Sequence, residues 1–388
     1  MDAGSEPLDG AGAGPDEDGL PRGEGQEGAG EEGPPKGLVR SGRVLVIGPV
    51  IAAAAIVVVV ILLMSSFPGV ERTTWAYEMT QLDVAYDHDL RGSGVRVGII
   101  DTGLDVDHPE LEGATVVAWK DLVEGKGSPY DDQGHGTSMA SIIAARGELR
   151  GGAPEVELII VRVIGDDGMT DDRHIADGID FCLDPDGDGS YSDGADIISL
   201  SLGGNFELFN RLQFPLTQTA VTQAVQNGVF VVAAAGNDGG PGDDGNVSKW
   251  GIYPNVVCVG AVDRNGRVAA FSSSGATGVA PPNEKPEVVA PGVEIATAYP
   301  DGRYAVGSGT SHATAFVTAV LASALSGTPR LLHGGAEGGD LDAVRLVKEA
   351  LMSTCLKVAG QQTPHDDRAG YGIVQARALA ATLGTAHP

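Results

Sequence analysis

The chain has 388 residues, 58 of them glycine, and its 53 acidic against 25 basic side chains give a net charge of −28. That balance excludes nucleic acid as a partner, because phosphate binding needs clustered Lys and Arg. It reads instead as a solubilising surface, a high-salt habitat or, in part, metal ligation. Three widely spaced cysteines, Cys182, Cys258 and Cys355, fit neither a disulfide framework nor a zinc pattern and read as small buried apolar residues.

Residues 1–43 are Gly, Glu, Asp and Pro with almost no aromatic or β-branched side chain, so they cannot bury enough apolar surface to order and are expected to form a disordered tail. Val44–Met64 follows, 21 residues without a charge, matching the ~20 apolar residues that cross a bilayer as a helix. A cleaved signal sequence has an apolar core of ~7–15 residues after a short basic start. This run is longer and starts later, so it reads as one uncleaved transmembrane helix. Lys36, Arg40 and Arg43 precede it closely and only Arg72 follows closely. That asymmetry places the N-terminus in the cytoplasm and everything after Met64 outside, at the cell membrane. Residues 65–74 read as a short linker.

From about Trp75 to the end at residue 388 the pattern is that of a single α/β domain. Val95–Asp101, Val156–Val163, Asp196–Leu202, Gly228–Ala235 and Val256–Val262 are short, nearly continuous apolar runs rich in Val and Ile. Buried parallel strands read this way. Helical stretches such as Gly136–Ala145 and Leu216–Asn227 lie between them. The alternation predicts a doubly wound, mostly parallel β-sheet with helices on both faces, whose active groups gather at the carboxyl ends of strands.

Four Gly-bearing junctions carry reactive residue types. "GIIDTGLDVDHPEL" puts Asp101 at the end of the first strand, and "DDQGHGTSMASIIAA" puts His135 at a helix start. "VVAAAGNDGG" puts Asn237 just past a strand, and "GSGTSHATAF" puts Ser311 at another helix start. Acyl transfer to a serine needs this set. A hydroxyl is a poor nucleophile until a neutral imidazole takes its proton. A carboxylate must then fix the tautomer and stabilise the imidazolium, and donors must already face the developing oxyanion. Asn237 offers a side-chain amide and Ser311 a backbone N–H at a helix N-terminus. His312 is adjacent to Ser311, but successive helical residues point about 100° apart, so the base is sought elsewhere.

These motifs, with "SLSLGG", "FSSSG", "VVAPG" and "GYGIV" in order behind them, make the sequence from roughly Trp75 to Leu383 resemble the subtilisin-like serine proteases. The resemblance implies Asp101, His135 and Ser311 as the triad and Asn237 as the oxyanion donor. It also implies a substrate-binding wall of Ser201, Leu202, Gly203, Gly204, Ala235 and Gly236, with the "SLSLGG" segment, Ser199–Gly204, offering a backbone edge to an extended peptide. His108 falls where the family has a structural histidine, and His312 where it usually has Met. Three departures stand out. Ala315-Phe316 replaces a common Pro-His, and Lys249-Trp250-Gly251 falls near the expected specificity wall. The few residues between the apolar span and the enzyme-like region leave no room for an inhibitory prodomain.

In Leu183–Ser199, residues Asp184, Asp186, Asp188 and Gly189 match the first half of a calcium-loop pattern. Ala195 stands where the closing Glu of an EF-hand belongs, leaving Asp193 and Asp196 as candidates to complete the site. Carboxylates this crowded repel one another unless a cation sits among them, and the resemblance implies a structural Ca2+ in an insertion here. Asn246-Val247-Ser248 is a glycosylation sequon. The expected function is a membrane-anchored extracytoplasmic serine endopeptidase acting on protein or peptide substrates through an acyl-enzyme. A catalytically silent binding module and a peptide ligase or transpeptidase on the same site remain open alternatives.

Overall fold

The computed structural model describes residues 71–202, 215–241, 243, 245–275 and 283–384. The predicted tail, the predicted span Val44–Met64, most of the linker and the candidate wall residues Gly203 and Gly204 lie outside the described residues. Among the described residues no helix is long and apolar enough to cross a membrane.

In chain order the elements are α1 (Thr74–Met79), α2 (Leu82–Asp87), β1 (Arg96–Asp101), β2 (Thr115–Asp121), α3 (His135–Ala144), β3 (Glu157–Arg162), α4 (Asp172–Leu183), β4 (Ile197–Leu200), α5 (Pro215–Gln226), β5 (Phe230–Ala234), β6 (Val257–Val262), β7 (Val288–Pro291), β8 (Ile295–Tyr299), β9 (Arg303–Gly307), α6 (Thr310–Ser326), α7 (Leu341–Ser353) and α8 (Ala376–Leu383). Seven strands form one sheet in the order β2-β3-β1-β4-β5-β6-β7, and every pairing in it is parallel. β8 and β9 make a separate antiparallel pair.

The apolar runs explain the sheet. β4, β5 and β6 are buried at every position, as strands covered on both faces must be. α4 and α5 pack on each other and on β1, β3 and β5, while α3 and α6 pack together against β1 and β4–β7, so two helical layers cover the sheet. α6 consists almost wholly of small and apolar residues and is buried along nearly its whole length. It is therefore a rigid central strut, and its first turn carries Ser311. The chain leaves β1 toward β2 and β3 on one side and returns to add β4 on the other. This strand-order reversal opens a crevice at the carboxyl ends of β1 and β4, where α/β sheets bind ligands.

Two details follow. Arg72 donates from Nε to the carbonyls of Leu149 and Arg150 at 2.7 and 3.1 Å, and the Thr73 hydroxyl accepts the Ala296 N–H at 2.8 Å, so the end of the linker is already docked. β4 cannot offer an edge to substrate, because β1 flanks it on one side and β5 on the other. The cysteines are free thiols, with Cys182 and Cys258 buried and Cys355 half-buried.

Candidate active site

Asp101 ends β1 and is 1% exposed. Its Oδ1 lies 2.8 Å from His135 Nδ1 and accepts the Thr102 N–H at 2.8 Å. Glycines make that approach possible. Gly134, at φ 94°, turns the chain into α3. A Cβ on Gly136 would lie 2.2 Å from the Gly103 carbonyl oxygen, so only glycine lets the first turn of α3 abut the loop after Asp101. Burial disfavours the imidazolium of His135, but the charge and hydrogen bond of Asp101, with Asp131 further off, outweigh it and raise the pKa above the ordinary histidine value.

Ser311 enters from the other side of the crevice. It is the second residue of α6, 5% exposed, and its Oγ donates to the Ser201 carbonyl at 3.0 Å, just beyond β4. In the first helical turn its backbone N–H has no intrahelical acceptor. Asn237 is oriented by Thr310, whose backbone N–H and hydroxyl both donate to Asn237 Oδ1, at 2.9 and 3.1 Å. With its oxygen so held, Asn237 Nδ2 has no hydrogen-bond acceptor among the described residues. The amide N–H groups and the Ser311 N–H are thus the donors available to an oxyanion.

His312 is 6% exposed and packs against Gly307, where a Cβ would come within 2.4 Å of its Nε2. Its Nδ1 is buried without a partner among the described residues. Burial, with the charge of His135 second, pushes its pKa down to about 3, so it stays neutral. His108 is structural: Nδ1 accepts the Glu110 N–H at 3.1 Å and Nε2 bonds the Arg303 carbonyl at 2.8 Å.

The wall residues divide. The Ser201 carbonyl is engaged by Ser311, and Leu202 is buried. Ala235 has both backbone groups committed, its N–H to Val259 at 2.9 Å and its carbonyl to Ser248 at 2.6 Å. Gly236 donates to Thr310 Oγ1 at 3.2 Å and accepts from Ser273 at 3.0 Å. Each backbone N–H and carbonyl of Ala235 and Gly236 is therefore already engaged once within the fold. Trp250 is buried in the core.

The family's own model, the subtilase family, matches residues 92–372. The chain belongs to the subtilase family. It is 35% identical over 268 residues to the serine protease AprX of Bacillus subtilis strain 168, a match covering 62% of this chain and 59% of AprX. Subtilisin DY of Bacillus licheniformis is 36% identical over 260 residues, 65% of this chain and 84% of that protein. Subtilisin Savinase of Lederbergia lenta is 35% identical over 251 residues, 64% of this chain and 82% of its own length. This subtilase is accordingly a hydrolase of the serine endopeptidase type, with protein or peptide substrates.

The predicted calcium residues are only partly brought together. Oxygens of Asp184, Asp186 and Asp188 lie within 4.8 Å of one another, as a shared hard cation requires. Asp196 does not belong with them. It is 5% exposed, and its two oxygens accept the backbone N–H groups of Arg96 and His333, each at 2.8 Å. Asp193 sits in a 3-10 turn, Tyr191–Asp193, outside the trio. Sequence spacing misplaced Asp196 because its donors come from Arg96 and His333, far off in the chain. A carboxylate the sequence reading passed over, Asp131, lies against the first turn of α3.

Proposed function

We propose that this subtilase cleaves internal peptide bonds with Ser311 as nucleophile, His135 as general base and then general acid, and Asp101 as the carboxylate that orients His135. The observation that carries this reading is the 2.8 Å contact of Asp101 with His135 Nδ1, which fixes the tautomer and leaves Nε2 to take the Ser311 proton. In the resting enzyme the Ser311 hydroxyl rests on the Ser201 carbonyl, and the reading requires it to turn to His135 as substrate binds, since catalytic hydrogen bonds commonly tighten only once substrate is bound. Asn237 Nδ2 and the Ser311 N–H then hold the tetrahedral oxyanion.

The enzyme is anchored by Val44–Met64, with residues 1–43 in the cytoplasm and the catalytic domain outside; the uncharged 21-residue run and the Lys36, Arg40 and Arg43 cluster before it support this. A structural Ca2+ would be held by Asp184, Asp186 and Asp188, where the donor chemistry fits. The Asp188 N–H eases the charge on Asp186, but the neighbouring carboxylates of Asp188, Asp193 and Asp184 help to raise its pKa, a repulsion that a bound cation relieves.

Incubation with a peptide library, read by mass spectrometry, tests the activity. The wild type should yield internal cleavages that Ser311→Ala does not. Equal cleavage by both, or none by either, contradicts the proposal.

A further inference from the structure

Asp131 stands four residues before His135 and is 6% exposed. Five donors converge on its carboxylate. Oδ1 accepts from the Thr102 hydroxyl at 2.9 Å, the Gln133 N–H at 3.2 Å and the Gly134 N–H at 2.7 Å. Oδ2 accepts from the Thr137 N–H at 2.9 Å and the Thr137 hydroxyl at 2.7 Å. The network reaches both partners of the triad contact. Thr102 follows Asp101 directly and donates its N–H to Asp101 Oδ1, while its hydroxyl accepts the Gly136 N–H at 2.8 Å. Thr137 Oγ1 also accepts the Asp105 N–H at 3.0 Å, from the same loop after β1. The Asp131 carboxylate thus ties the first turn of α3 to the strand end that bears Asp101, around residues 134, 136 and 137 on either side of His135.

We propose that Asp131 is a positioning residue for catalysis: it holds His135 in register with Asp101 and supplies a second negative charge to the imidazolium that forms during acyl transfer. The inference rests on His135 being the base of the proposed triad. An Asx turn alone would account for the donors at Gln133 and Gly134, and helix capping for the Thr137 N–H. Neither would require the Thr102 link to the Asp101 strand, or a charge that acts on His135.

The titratable groups facing His135 are Asp101 from β1, Asp131 from the turn before α3, and His312 from α6; Tyr299 of β8 faces Asp131 in turn. His312 stays neutral over the working range and Tyr299 is raised above the ordinary tyrosine value, so neither titrates where His135 does. Both carboxylates raise the pKa of His135. Removing one charge therefore moves the acid limb of kcat/KM to lower pH.

The test is Asp131→Asn, with kcat, KM and the pH profile of peptide hydrolysis measured beside wild type and His135→Ala. The expected result is a kcat lower by roughly 10- to 100-fold, the range a slight misplacement of a catalytic group can cost. KM should stay near wild type and the acid limb should shift down in pH. An acid limb at the wild-type pH, whatever happens to kcat, overturns the inference, because a merely structural role would not move it. If Asp131→Asn does not fold, Thr102→Val breaks the link and leaves the charge. It should lower kcat at constant KM, and Thr102→Ser should restore it; wild-type kcat in Thr102→Val overturns the inference. Activity surviving His135→Ala would instead sink the triad itself, so the two failures are distinguishable.

Discussion

His312 sits beside Ser311, the proposed nucleophile, at a cost that the fold bears at low pH. Its pKa of about 3 in the folded protein lies below the 6.5 of an unperturbed histidine. As pH falls through that window the unfolded chain takes up a proton that the folded chain refuses, so stability drains away between about 6.5 and about 3. His135 acts in the opposite sense. Its raised folded pKa adds stability that is fully present below the unfolded value and is lost as pH rises through the folded one. His312→Met, which fills similar space without a titrating ring, should move the midpoint of acid unfolding to lower pH. A midpoint at the wild-type value in a pH titration followed by circular dichroism contradicts this. At this scale the motifs made four positions stand out, Asp101 at a strand end, Asn237 just past one, and His135 and Ser311 at helix starts, and the structure pairs two of them, Asp101 and His135. The sequence was mute where a partner is distant, as for Asp196 with Arg96 and His333, or for Asp131 with Thr102.

At the scale of elements, the buried strands were legible because parallel strands covered on both faces are continuous apolar runs. β2 was not, since its half-exposed pattern and its Trp119 and Lys120 break any such run. The β8–β9 pair was also missed. Yet it braces the site: Ser138 donates its hydroxyl to the Ala298 carbonyl at 2.9 Å, and the Tyr299 hydroxyl donates to the Gln133 carbonyl at 3.0 Å. α3 is thereby clamped between this pair and the loop after β1, with Gly136 as the point of closest approach. Gly136→Ala pushes a methyl onto the Gly103 carbonyl, where the backbone must give. Overpacking of this kind costs about 1–3 kcal/mol, so Tm should drop by several degrees and kcat should fall as His135 shifts. A Gly136→Ala enzyme with wild-type Tm and kcat would show that the contact tolerates the methyl.

For the molecule as a whole, the acidic surplus has one local consequence that can be measured. Asp184, Asp186 and Asp188 stand in an exposed loop between α4 and β4, with backbone N–H groups of residues 187–190 as their observed donors. A bound Ca2+ would add stability as its concentration exceeds its dissociation constant, about 2.7 kcal/mol at a hundredfold excess. Chelation should therefore lower Tm, and added Ca2+ should restore it in the wild type but not in a variant with Asp184, Asp186 and Asp188 all changed to Asn. A melting curve indifferent to EDTA and to Ca2+ contradicts a structural ion there.

The central claim concerns three side chains drawn from the end of β1, the start of α3 and the start of α6. The most direct measurement is labelling with a fluorophosphonate, followed by mass analysis of the proteolytic peptides. The account predicts one adduct, on Ser311, absent in Ser311→Ala and strongly slowed in His135→Ala although both variants remain folded. An adduct on another residue, or labelling of undiminished rate in His135→Ala, would contradict it.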